Sequence, residues 1–135
     1  MLYESGGNYK SSKIMTRMPS DHEYVIKRFE NVNDSYFAEG SDFYIDKEGK
    51  MFIYLLTWRE RKIIKYDKDF NIVNEINLDS KVNEGWGLTH NPADNTVYYM
   101  SDGSNNIYEC DPTQNFKVIA THPVNLIRLN TMVGL

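Results

Sequence analysis

A repeat of about 44 residues constrains this chain more than any other feature. Tyr66-Asp67 and Cys110-Asp111 stand 44 residues apart, as do Thr57-Trp58 and Ser101-Asp102. Around each pair the same succession recurs: a glycine-punctuated aromatic stretch, an oily run, a mixed run and an alternating run, with short polar turns between them. The first set occupies 37–45, 51–58, 62–67 and 71–78, and the second 86–90, 96–102, 106–111 and 116–121. Runs of this length, rich in β-branched and aromatic residues and bounded by Gly, Asn and Asp, read as strands. Four strands every 40–50 residues is the period of a β-propeller blade. The 51–58 run is nearly all apolar, as a strand covered on both faces must be, whereas 71–78 alternates and suits an outer, half-exposed strand. No window sustains a 3.6-residue apolar period, so helix should be nearly absent.

Before the first full set come three more strands, at 2–5, 13–18 and 24–29, joined through Gly6-Gly7 and the polar turn from Ser20 to Glu23. The expected fold is therefore all-β, an incomplete propeller arc of about two to three four-stranded blades in one partial domain over 1–135. Part of a blade spans 1–33, whole blades span 34–80 and 81–124, and 125–135 opens the next. A chain of 135 residues suits one core. Its start and end both fall inside strand patterns, the expectation for a piece of a longer protein. Such an arc leaves two blade faces unpaired, so the chain alone is expected to be unstable or to associate.

Composition narrows the functions. Fifteen basic and nineteen acidic side chains give a net charge of -4 with neither sign gathered into a block, which argues against nucleic acid. No run approaches the roughly 20 apolar residues of a membrane helix, so no membrane partner is expected. The single Cys110 excludes an internal disulfide framework, and His22, His90 and His122 lack ligand-like spacing and read as surface residues, so no metal ligand set is expected. Ser101 sits in no nucleophile-elbow context, and the glycines match no phosphate-cradling motif.

The residue that stands out is Glu39, in Ser35-Tyr36-Phe37-Ala38-Glu39-Gly40. A carboxylate between an aromatic ring and a glycine is a candidate for a desolvated acid. A channel-lining carboxylate that accepts backbone N–H bonds fits the spacing equally well. Trp58 and Trp86 fall at corresponding rim positions, where large rings serve either as pocket walls or as packing between blades. Asp102 and Asn130 lie at or beside the same rim, although Ser101-Asp102-Gly103-Ser104 reads first as a turn that caps its own backbone.

Taken together, Leu2-Tyr3-Glu4-Ser5-Gly6-Gly7, Tyr36-Phe37-Ala38-Glu39-Gly40, Leu56-Thr57-Trp58, Tyr66-Asp67, Glu84-Gly85-Trp86-Gly87-Leu88-Thr89, Ser101-Asp102-Gly103-Ser104 and Ile127-Arg128-Leu129-Asn130 resemble, in order and spacing, the plant and bacterial type of glutaminyl-peptide cyclotransferase. The resemblance implies a five-bladed propeller that converts an N-terminal glutamine of peptides or proteins to pyroglutamate with release of ammonia. It implies Glu39 as the catalytic acid and base, Phe37 as its neighbour, Trp58 and Trp86 as walls, and Asn130 as a substrate-binding residue. No cofactor is implied for the chemistry, though a structural divalent ion on the propeller axis fits the family, and an extracytoplasmic or secretory location is favoured. Ala38 stands where the family usually has glycine, and Thr131-Met132 depart from its pattern. A propeller that binds a peptide or protein without catalysis, or an inactive fragment, is the competing reading. It would keep the tryptophans without needing Glu39.

Overall fold

The computed structural model describes residues 2–20 and 23–125. Among them are eleven strands: β1 (Leu2–Gly6), β2 (Lys13–Ser20), β3 (Glu23–Asn31), β4 (Ala38–Ile45), β5 (Met51–Thr57), β6 (Lys62–Asp67), β7 (Ile72–Asn77), β8 (Leu88–Asn91), β9 (Asp94–Ser101), β10 (Asn106–Asp111) and β11 (Lys117–Pro123). The helical content of the described residues is one 3₁₀ turn at Pro112–Gln114. The strands form three antiparallel sheets in sequential order, β1-β2-β3, β4-β5-β6-β7 and β8-β9-β10-β11. This is an all-β arc of an incomplete propeller. The strand expected after residue 125 lies outside the described residues.

The oily run explains how the sheets stack. Six consecutive residues of β5, from Phe52 to Thr57, are buried, and their side chains alternate between the two neighbouring sheets. Ile53 and Leu55 join Ile14, Val32, Ala38, Ile64, Tyr66 and Phe70 in a core against the first sheet. Tyr54 and Leu56 join Leu88, Tyr98, Met100, Tyr108, Cys110, Phe116 and Val118 against the third. Each fully buried aliphatic side chain of this kind contributes about 1.5–3 kcal/mol of transfer free energy. The outer strand β7, expected to be half-exposed from its alternation, is exposed almost throughout, with the adjacent Ile72 and Val73 both open to solvent.

Two further sequence expectations need correcting. The run expected at 86–90 begins its strand only at Leu88, because the Trp86 backbone is shared between β9 and the neighbouring sheet. Trp86 N–H donates to Ser101 O at 3.1 Å, and its carbonyl accepts from Gly40 N–H at 2.6 Å across the sheets. His90 is not a surface residue. It is buried in β8, its Nδ1 lies 2.5 Å from Asp42 Oδ2, and its ring stacks on Tyr98 with centroids 4.8 Å apart. His122 is exposed and bonded to Glu109, and His22 lies outside the described residues.

Candidate functional site

In an antiparallel meander all turns of one parity share one end. The β5–β6 turn, the loop from β7 to β8 and the loop leading into β4 therefore meet on one rim. Phe37, Glu39, Trp58 and Trp86 line a single cleft of about 350 Å³ there. Asn130 lies outside the described residues.

Backbone contacts fix the position of each of these side chains. Phe37 is held by its N–H on Glu60 Oε1 at 2.8 Å and by its carbonyl, which accepts from Trp58 N–H at 3.0 Å. Glu39 follows in β4, its carbonyl accepting from the Ser5 hydroxyl. Ala38, the departure from the family pattern, is buried and donates its N–H to Ser12 Oγ at 3.0 Å. Gly85 donates to Trp58 O at 3.1 Å and sits so close to β5 that a Cβ would fall 2.2 Å from Thr57 O. Only glycine permits that approach, which sets Trp86 beside Trp58.

The rings form a graded wall. Phe37 packs edge-on against Trp58 at 5.4 Å and against Tyr9 at 5.3 Å, while the Tyr9 hydroxyl donates to Glu60 Oε2 at 2.8 Å. The Arg59 guanidinium lies over the Trp58 ring, 4.2 Å from its centroid. Trp86 is 47% exposed, so it is not buried packing between sheets. Both indole N–H groups point at one carboxylate, Glu84, whose Oε2 lies 2.7 Å from Trp58 Nε1 and 2.9 Å from Trp86 Nε1.

The two glutamates of this rim are pulled in opposite directions. Half-burial among the rings pushes the Glu39 carboxyl above its ordinary range, and the negative charge of Glu84 raises it further. The indole hydrogen bonds from Trp86 and Trp58 hold Glu84 below the ordinary range, with help from Arg59. Folding thus favours the protonated form of Glu39 and the ionised form of Glu84. Asp102 is buried, which alone would raise it. Hydrogen bonds from Ser104, the Asn83 N–H and the Tyr108 hydroxyl outweigh that effect and keep it low. It therefore holds two loops together and does not face the cleft.

A roomier cleft of about 660 Å³ opens at the opposite end of the sheets, among Tyr3, Thr16, Lys50, Met51 and Asp69. Its acids are committed to structure, Asp69 to Arg28 and Asp67 to the turn at Asn71.

The family model described as glutamine cyclotransferase matches residues 1–130. The chain belongs to the glutamine cyclotransferase family. No curated protein matches it. Among solved structures it is similar to a protein of unknown function from Bacteroides caccae, with a TM-score of 0.50 and 8% sequence identity. That match covers 91% of this chain and 42% of the other, so this chain spans less than half the length of that protein.

Sequence reasoning placed Glu39, Phe37 and the two tryptophans on one rim but missed what ties them together. Glu84 enters the sequence reading only as part of a motif, and Glu60 and Arg61 only as positions in the turn between the 51–58 and 62–67 runs. Nothing in their spacing shows that Glu84 bridges rings from two sheets. Among the described residues no three His, Cys, Asp or Glu side chains cluster as a metal ligand set. No helix among them is long and apolar enough to cross a membrane.

Proposed function

We propose that this chain carries the proton-transfer part of a glutaminyl-peptide cyclotransferase site, acting on peptides or proteins with an N-terminal glutamine. The observation that carries the reading is Glu39, a carboxyl with a raised pKa in a cleft walled by Phe37, Trp58 and Trp86, in a chain of this family. The substrate's α-amine nitrogen attacks the carbonyl carbon of its own side-chain amide, forming the ring C–N bond. Ionised Glu39 takes the proton that the amine must lose. The tetrahedral intermediate then collapses, the bond to the amide nitrogen breaks, and Glu39 returns the proton to that nitrogen, which leaves as ammonia. The net reaction is an intramolecular acyl transfer that consumes no water.

A carboxyl whose pKa lies nearer neutrality performs both halves of this relay better than an ordinary glutamate. Because ring closure is already intramolecular, the protein's further task is to hold the reactive rotamer, and flat aromatic walls suit a planar amide. Asn130, on the strength of the family resemblance, is assigned a hydrogen bond to the amide oxygen as it gains charge.

The test is cyclisation of a glutaminyl dipeptide, followed by ammonia release and by mass. Glu39→Gln should lower turnover by about 10²-fold or more while binding persists, in line with the usual contribution of a positioned acid or base. Turnover close to that of the parent would overturn the assignment. Dipeptide binding that quenches tryptophan fluorescence without releasing ammonia would support the peptide-binding module instead.

A further inference from the structure

Trp58 follows β5 and Trp86 precedes β8, so the two walls of the cleft belong to different sheets. Covalent geometry does nothing to keep them at a fixed separation. Trp86 is also about half exposed, and its ring lies on Gly103, where a Cβ would fall 2.5 Å from Cζ2, a contact with no side chain to set the ring's rotation. The atom both rings share is Glu84 Oε2, at 2.7 and 2.9 Å from the indole nitrogens. An indole N–H donates in the plane of its ring, so each bond fixes ring rotation as well as distance. Donation to a carboxylate is roughly twice as strong as donation to a neutral acceptor.

The loop that presents Glu84 is itself secured. The Arg61 guanidinium donates to the carbonyls of Asp79, Val82 and Asn83, at 3.0, 2.8 and 3.2 Å. Asn83 N–H donates to Asp102 Oδ2 at 3.0 Å, and Gly85 N–H to Trp58 O at 3.1 Å. Glu84 is thus flanked on both sides by anchored backbone.

We propose that Glu84 is a positioning residue: its carboxylate ties the Trp58 and Trp86 indoles into a slot of fixed width over Glu39. The role of that slot in turnover rests on the cyclotransferase reading, whereas the tie itself does not. The charged groups around the slot are Glu39, Glu84, Arg59, Glu60 and Asp102. Removing the charge of Glu84 therefore also takes away the negative neighbour nearest to Glu39.

The chain has two tryptophans, so an ¹⁵N spectrum shows two indole N–H peaks, assignable with Trp58→Phe and Trp86→Phe. Glu84→Ala is expected to shift both peaks and speed their solvent exchange by about tenfold or more, the loss expected for a hydrogen bond to a charged group. The rest of the spectrum should stay in place. Glu84→Gln keeps an acceptor oxygen and should retain most of the protection, which also covers the case in which the alanine variant does not fold. Unchanged indole shifts and exchange in a folded Glu84→Ala, or in Glu84→Gln full loss of protection equal to a missing acceptor, would overturn the tie.

With the glutaminyl dipeptide, Glu84→Ala should lower kcat by about 10- to 100-fold, the cost of mispositioned reacting groups, with a smaller change in KM. Glu84→Gln should recover most of kcat and move the acid limb of kcat/KM to lower pH. If the parent protein releases no ammonia yet the indole results hold, the cyclotransferase reading fails and the tie stands. If the parent cyclises and Glu84→Ala leaves kcat and the indoles untouched, the tie fails and the reading stands.

Discussion

Glu39 and Asp102 are both carboxylates near the same rim, and their surroundings drive them apart. Asp102 receives hydrogen bonds from the Ser104 side chain and N–H, the Asn83 N–H and the Tyr108 hydroxyl, so folding favours its ionised form. Among the described residues the Glu39 carboxyl gains no such donors to offset its burial, and Glu84 adds repulsion. A carboxyl group whose pKa is raised by folding stabilises the fold while protonated. That contribution is complete below the unfolded-state pKa and is lost as pH rises through the folded-state value. Ionised Glu39 at neutral pH is therefore a local cost to stability. Glu39→Gln is expected to melt at a higher temperature than the parent around pH 7, with the gap closing around pH 4. Thermal melts across that range check it, and a variant less stable at neutral pH would make Glu39 a structural acceptor.

At the level of elements, the chain's β-structure was legible because period-2 patterning and turn chemistry are local. The limits expected for β6 and β10 coincide with those observed, and β5 reads as doubly covered from its composition alone. What remained hidden depends on partners distant in sequence. Phe70 and Phe116 adopt left-handed backbone, φ 63° and 58°, while being almost fully buried. Bulky residues rarely take that conformation, and their rings fill the two cores between sheets in return. The burial of His90 likewise comes from Asp42 and Tyr98, 48 positions before it and eight after it. Gly40 shows what such contacts demand. A Cβ there would lie 2.5 Å from Trp86 O, 2.8 Å from Leu88 N and 2.9 Å from Gly87 Cα, all backbone atoms that cannot swing aside. Gly40→Ala should therefore force the second and third sheets apart and cost about 1–3 kcal/mol, the usual range for overpacking. Chemical denaturation measures this, and an unchanged midpoint would mean that the rim is softer than its geometry implies.

At the scale of the whole molecule, the three sheets are unequally served. The middle sheet is covered on both faces, by one core on each side. The third sheet turns Tyr98, Met100, Tyr108 and Cys110 toward it, so strand alternation points Tyr99 and Ile107 the other way, where both are only half-buried. Within the described residues β1 pairs with β2 alone, and its second edge offers unpaired backbone groups. An apolar sheet face and a free strand edge are the two features by which β-proteins associate. The 135-residue chain on its own is accordingly expected to gain apparent mass with concentration in light scattering. Tyr99→Lys combined with Ile107→Lys should shift that onset to higher concentration. A monodisperse monomer with a single cooperative melt would show instead that two inter-sheet cores suffice to hold an open arc.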